Sequence, residues 1–267
     1  MMPVELRQPE VERDRWGRPK INGKTYQRPS TVAKAIEAAG GLPKWMGTRV
    51  FEGLREQPEL LNAPGDIREL VEAAADAGGA NAGSGFGTAV HEVVESLTMT
   101  GSVPTVLRSG TAPSEQHVEC ARSVLDLLDA YGFDVVLSEV FVVAEDHGAA
   151  GTTDLVLKNR ESGRLYIGDV KTSGSAAATA TKFSSLSWSI QLAIYADGKV
   201  LTEEGSVAFS DVLGKDVAAE RAVVIHVERD TAKATLIDID LDAGRDAAGL
   251  AASVMAMRKT SPGRVIH

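Results

Sequence analysis

Residues 151–174 read GTTDLVLKNRESGRLYIGDVKTSG, two apolar runs on either side of a polar turn. Leu155-Val156-Leu157 and Leu165-Tyr166-Ile167 are β-prone, and Asn159 to Arg164 carry turn chemistry. A loop over Arg160 to Gly163 pairs Lys158 with Leu165. The same register sets Asp154 opposite Asp169, where directly facing like charges destabilise an antiparallel pair. A divalent cation between the carboxylates turns that repulsion into a binding site, because hard cations take oxygen ligands. Side chains alternate along a strand, so Lys171 points to the same face as Asp169. Both arms are apolar on both faces, which argues for a sheet covered on each side. Charges at the end of such a sheet are costly unless something pairs them.

The rest of the chain gives this hairpin a setting. At 267 residues, 43% of them hydrophobic, it has material for one large core or a core with an appendage. The single cysteine, Cys120, excludes a disulfide framework, a four-thiolate zinc site and a cysteine-held iron–sulfur cluster. No apolar stretch is long enough to span a bilayer, and MMPVELRQPEVERDRWG at the start lacks a signal-peptide apolar core. A soluble, cytoplasmic protein with no membrane partner is the expectation. A net charge of −9 weighs against nucleic acid as a partner, unless a local basic stripe and bound metal ions reverse the sign where it matters. Arg13 to Arg28, RDRWGRPKINGKTYQR with Trp16 and Tyr26 interleaved, is such a stripe, although runs of this kind are more often solvated arms.

Residues 1–28 read as an irregular arm. STVAKAIEAAG after Pro29, LPKWMGTRVFEGLREQPELL and PGDIRELVEAAADAGG read as helices, the first and last closed by glycine. GSGFGTAVHEVVESLTMTG reads as a glycine-rich turn that becomes a helix from about Thr88. PSEQHVECARSVLDLLDAY is helical, with Val118, Ala121, Val124, Leu125 and Leu128 on one face. Strand-like runs follow in VVLSEVFVVAED, in the hairpin and in RAVVIHVERDTAKATLIDID. SLSWSIQLAIYADGKVL and LDAGRDAAGLAASVMAMRK are helical, and SGSAAATATKFSS reads as a flexible loop beside the hairpin end. Helices first, then a sheet with an inserted and a closing helix, give an α/β or α+β layered domain: a central mixed β-sheet flanked by helices, with a helical N-terminal region. The expected division is 1–83 for the arm and helical region and 84–267 for the core.

Several familiar motifs fail. GSGFGT has no preceding strand and the wrong glycine spacing for a dinucleotide fingerprint. HEVVE (91–95) lacks the second histidine of a zinc protease, leaving His91 and Glu95 four apart on one helix face. No G-x-S-x-G or Cys–His arrangement supports nucleophilic catalysis. Gln191 and Tyr195 share a helix face, and Glu139 is a lone charge in an apolar strand run.

In order, the features are G-T-x-x-H (87–91), Glu139, G-x-x-D (151–154), D-x-K-T (169–172) and Q-x-x-x-Y (191–195). Over roughly residues 84–200 this series resembles the RecB-like branch of the PD-(D/E)XK nuclease superfamily, and its stand-alone phage-type exonucleases above all. The resemblance implies a restriction-endonuclease-like core. It implies Mg²⁺ or Mn²⁺ held by His91, Asp154, Asp169 and the Val170 carbonyl, with Glu139 a further candidate for the metal shell. Lys171 would position or activate the attacking water, and Asp154 and Asp169 would share the catalytic work. Gln191 and Tyr195 would support the site and the nucleic-acid backbone. Thr153 stands where the superfamily's name has proline, and the iron–sulfur cysteines of the CRISPR-associated relatives are absent. The implied activity is metal-dependent exonucleolytic hydrolysis of DNA in recombination, repair or phage DNA processing. The alternatives are an endonuclease of the same fold or a non-catalytic DNA-end-binding subunit. The implied partners are DNA, a separate helicase or single-strand annealing or binding protein, and further copies of the chain.

Overall fold

The hairpin forms in the expected register. Leu155 faces Gly168, Val156 faces Ile167, Leu157 faces Tyr166 and Lys158 faces Leu165. The turn is closed by Asn159, whose N–H donates to the Arg164 carbonyl (2.9 Å) and whose carbonyl accepts from Gly163 N–H (2.8 Å). Asn159 Oδ1 also accepts from the Ser162 backbone N–H, the local side-chain bond that makes Asn a turn former.

The computed structural model describes residues 4, 6–36, 41–80, 82–173 and 182–258. In chain order the strands are β1 (Glu12–Arg13), β2 (Pro19–Ile21), β3 (Lys24–Thr25), β4 (Phe133–Ala144), β5 (Ala149–Asn159), β6 (Leu165–Ser173), β7 (Lys199–Thr202), β8 (Gly205–Val207), β9 (Arg221–Glu228) and β10 (Ala234–Asp240). The helices are α1 (Pro29–Ala33), α2 (Gly41–Glu56), α3 (Ile67–Ala77), α4 (Ala82–Thr100), α5 (Glu115–Ala130), α6 (Lys182–Ala196), α7 (Phe209–Leu213) and α8 (Asp242–Met257). The chain divides into two compact units, one of residues 1–37 with 91–267 and one of residues 38–90.

The larger unit is a mixed α/β structure built on a seven-stranded sheet in the order β10-β9-β6-β5-β4-β7-β8. Neighbours are antiparallel except β6 and β9, which run parallel with Asp169 beside Val224 and Lys171 beside His226. A parallel pair needs a crossover, and α6 lies in the segment that supplies it. That helix is apolar on more than one side because it is buried on more than one side. Trp188, Leu192 and Tyr195 join Val156 and Ile167 of the hairpin in one core cluster. Ile190 and Ile194 join Val32 of α1 and Ala247, Ala248 and Ala251 of α8 in another. A Cβ on Gly244 would lie 2.3 Å from the Ser189 carbonyl oxygen, so α8 can approach α6 only through glycine there.

Several elements depart from the sequence reading. The arm is ordered over 12–25, where β1, β2 and β3 form a small antiparallel sheet. Tyr26 packs with Phe141, Val143 and Leu201, supported by Val11 and Ile21, and the Gln8 amide bonds the backbones of Phe141 and Leu201. The glycine-rich stretch before Thr88 is helical, since α4 starts at Ala82. The helical run after Pro29 stops at Ala33 and the chain turns. Of the loop expected over 173–185, Ser173 ends β6, residues 182–185 open α6, and residues 174–181 lie outside the described residues. The helix expected over 185–201 ends at Ala196, and Lys199–Thr202 form β7. Among the described residues no helix is long and apolar enough to cross a membrane.

In the smaller unit, α2 and α3 cross closely. A Cβ on Gly53 would fall 1.7 Å from the Ala74 carbonyl oxygen, and one on Gly78 would fall 1.8 Å from that of Arg49. Asp66 caps α3 by accepting the Arg68 N–H.

Candidate metal centre

Strand β5 brings Asp154, strand β6 brings Asp169, Val170 and Lys171, helix α4 brings His91, helix α6 brings Gln191 and Tyr195, and strand β4 brings Glu139. Asp154 and Asp169 continue the hairpin register just beyond its last ladder pair, Leu155 with Gly168. The ladder opens there because Asp154 turns its carboxylate to the backbone: Val170 N–H donates to Asp154 Oδ2 at 2.8 Å. The other oxygen, Oδ1, lies 3.4 Å from His91 Nδ1. His91 Nε2 is 2.8 Å from the Val170 carbonyl oxygen. A carbonyl can only accept, so Nε2 carries the proton in this contact.

Glu139 reaches the same place by an unusual backbone. Its φ is 52°, in the left-handed region that residues other than Gly, Asn and Asp seldom occupy. In β4 the ladder runs from Ser138 with Leu155 to Val140 with Thr153, and Glu139, at the position across from Asp154, makes no ladder pair. Ligand atoms of His91, Glu139 and Asp154 all lie within 4.8 Å of one another. Beside them, Asp169 is almost fully buried and its Oδ2 is 2.5 Å from Lys171 Nζ. Gln191 Nε2 donates to Asp169 Oδ1 at 3.2 Å. A Cβ on Gly151 would come 3.1 Å from the Tyr195 hydroxyl and 3.0 Å from Pro29 Cδ, a tight space that glycine leaves free. Gly168 serves Asp169 in the same way: a Cβ there would meet Leu157 Cδ1 at 2.9 Å.

The charged groups of this cluster act on one another. Burial would push the His91 imidazole down, but the Asp154 carboxylate, with Asp169 behind it, outweighs burial and raises it to about 9. Burial, then the charge of Asp154, raises Glu139 to about 7, with His91 opposing. Burial also raises Asp169 to about 6, where the nearby Lys171 pulls down and Asp154 pushes up. Asp154 goes the other way. Its burial is outweighed by His91, then Lys171 and the Val170 N–H, which hold it below the usual carboxylate range. Lys171 is held above its ordinary value because Asp169 and Asp154 outweigh its burial, so it is an ammonium ion. Burial, then the two aspartates, keep Tyr195 a neutral phenol.

These residues fit a divalent metal ion. The donor set is one imidazole, the Glu139 and Asp154 carboxylates and the Val170 carbonyl, with Asp169 adjacent. Oxygen-rich sets of this kind suit Mg²⁺ or Mn²⁺, and the imidazole favours Mn²⁺ over Ca²⁺. As it stands, the His91 proton lies between the groups that would hold the metal.

The remaining histidines sit elsewhere. His117 closes a capping box with Ser114 at the start of α5. His147 contacts Asp197 at 3.3 Å, and His226 is fully buried with Ser173 Oγ at 2.7 Å from its Nε2. Position 267 is outside the described residues. One cation next to the centre carries no sequence signal. Arg108 sits in the loop after α4, and its guanidinium is 2.6 Å from Glu95 Oε2. Glu95 was visible four residues after His91, but the loop that returns Arg108 to it was not.

In comparison with known proteins, no family model and no curated protein sequence matches this chain.

Proposed function

We propose that this chain is a metal-dependent DNA nuclease of restriction-endonuclease-like fold, acting on ends as an exonuclease. The observation that carries the reading is the meeting of His91, Glu139, Asp154, Asp169 and the Val170 carbonyl with Lys171 at one end of the β5–β6 hairpin. A divalent cation held there supplies a water of lowered pKa and neutralises charge on a scissile phosphate.

The chain's own groups have separable tasks in this account. Asp154 would offer a carboxylate already ionised beside His91, Lys171 and the Val170 N–H, and Glu139 one whose charge a bound cation would stabilise against burial. Val170 offers its carbonyl, aimed by the bond between its own N–H and Asp154. Lys171, an ammonium ion, places positive charge where negative charge develops on the phosphoryl oxygens, which makes it an electrostatic and positioning group rather than a base. Gln191 keeps Asp169 oriented, a support on which ligand geometry depends, and Tyr195 hydrogen-bonds Gln191 from the same helix face.

The test compares end-labelled linear DNA with covalently closed circles in Mg²⁺, Mn²⁺ and EDTA, for the wild type and Lys171→Ala. Metal-dependent loss of linear DNA alone, absent in the variant, is the expected result. Cutting of circles would replace the exonuclease by an endonuclease of the same chemistry. An active Lys171→Ala protein would remove Lys171 from the mechanism. No cleavage of either DNA under any metal condition would contradict the enzymatic reading.

A further inference from the structure

We propose that Arg108 is the site's phosphate-binding side chain, holding a backbone phosphate of the nucleic acid next to the one being cut. This inference rests on the nuclease reading and adds a residue to it that the sequence pattern does not contain.

Arg108 is held in place by more than a surface ion pair. After α4 the chain makes a long excursion before Ser114 caps α5, and within it residues 107–111 form a tight turn. Leu107 N–H donates to the Thr111 carbonyl, and Gly110, at φ 85°, donates back to the Leu107 carbonyl, both at 2.8 Å. The Leu107 side chain is buried at 5% exposure, which anchors the turn. Arg108 N–H then donates to Glu92 Oε2 at 2.7 Å, and its guanidinium Nη2 donates to Glu95 Oε2 at 2.6 Å. Both carboxylates belong to α4, and Glu95 is one helical turn beyond His91. Backbone and side chain are thus both fixed to the helix that carries the metal-site histidine.

An exposed ion pair contributes little to stability, so stability is a poor reason for this arrangement. The Arg108 side chain stays 67% exposed, and Glu95 engages one of its guanidinium nitrogens. A guanidinium has five donors in a planar fork, and a phosphate is the partner that fork fits. The charge of Arg108 is felt at Glu139, where it opposes the rise caused by burial and Asp154. Around a centre crowded with carboxylates, Arg108 is an outward-facing cation within electrostatic reach of the metal site. An anionic substrate approaching a chain of net charge −9 needs such a contact beyond the metal itself.

The experiment uses the full chain in the Lys171→Ala background, expected to hold DNA uncut, and follows binding of a labelled oligonucleotide in Mg²⁺ as salt is varied. Adding Arg108→Ala is expected to weaken binding about tenfold. It is also expected to reduce the slope of log affinity against log salt by about one, the signature of one lost phosphate contact. Arg108→Lys restores part of both, and Mn²⁺ affinity by calorimetry stays within about threefold of the parent. Unchanged affinity and slope would reduce Arg108 to a surface ion pair. Loss of Mn²⁺ affinity together with DNA binding would make it a prop of the metal centre, which also overturns the proposal. A wild-type chain that neither binds nor cuts DNA would overturn the nuclease reading and this inference with it, whereas a wild type that cuts with an Arg108→Ala variant of equal affinity would overturn this inference alone.

Discussion

His91 Nε2 lies 2.8 Å from the Val170 carbonyl oxygen, while His91 Nδ1 faces Asp154 Oδ1 at 3.4 Å. A protonated imidazole therefore bridges two of the groups expected to hold the metal. Metal ligands must be deprotonated to bind, so uptake of Mn²⁺ has to displace protons from His91 and from Glu139 and Asp169, which are raised to about 7 and about 6. Mn²⁺ affinity should rise steadily from pH 6 to pH 9, with proton release visible as a dependence of the calorimetric heat on buffer ionisation. Affinity flat across that range would argue against His91 as a ligand.

The same shifts set the pH dependence of the metal-free protein. Each of these groups has a folded pKa above its unfolded value, so each contributes stability that is present at low pH and lost as pH rises through the folded pKa. Asp154, shifted down, acts only below the usual carboxylate range, and His117 and His226, lowered by burial, oppose them only up to the ordinary histidine range, so the linkage is read above it. Melting temperature without metal should fall between pH 7 and pH 9, and the increase on adding Mn²⁺ should be larger at pH 9 than at pH 7. Equal increments at both pH values would be inconsistent with this linkage.

Glu139 combines burial, a carboxylate neighbour and a left-handed backbone, none of which stabilises the fold. Glu139→Gln should raise the stability of the metal-free protein at pH 8 by on the order of 1 kcal/mol, have little effect at pH 5, and weaken Mn²⁺ binding. Thermal melts at the two pH values and a calorimetric titration check this. A variant that melts lower at pH 8 while binding Mn²⁺ normally would show a structural glutamate.

Gly168 precedes Asp169 on β6, and a methyl group there would press on Leu157 and on Leu155 of β5. Gly168→Ala should destabilise by about 1–3 kcal/mol, because a well-packed sheet face has no room for the added carbon. Denaturant melts measure it, and a change below about 0.5 kcal/mol would mean the two leucines repack freely.

Gln191 reaches Asp169 from α6, so its removal should disturb Asp169 without unfolding the helix. Gln191→Ala should lower DNA cleavage about 10–100-fold, the range for groups that support metal ligands, with melting temperature nearly unchanged. Full activity in Gln191→Ala would leave the Gln191–Asp169 bond without a role.

The hairpin register was legible because loop chemistry and alternation both act over a few residues, and Asn159 and Gly163 fix the turn locally. The i, i+4 spacing made the shared helix face of Gln191 and Tyr195 legible, but only the fold shows that Gln191 reaches Asp169. The order in residues 12–25 was hidden, because Tyr26 is held by Phe141 and Leu201, partners far away in the sequence. The glycines before Thr88 suggested a turn, since each costs about 1 kcal/mol in a helix, yet α4 continues through them to Ala82. Nothing local marks the left-handed backbone of Glu139, and the position of Arg108 depends on the path of a whole loop.

The most direct measurement is a calorimetric titration of the metal-free chain with Mn²⁺ at pH 7.5, for the wild type and Asp154→Asn. The account predicts at least one bound ion in the wild type and its loss in Asp154→Asn, whose neutral amide removes the carboxylate charge that faces His91 and the Val170 N–H. Equal binding by both proteins, or no binding by either, would contradict a metal centre at this end of the hairpin.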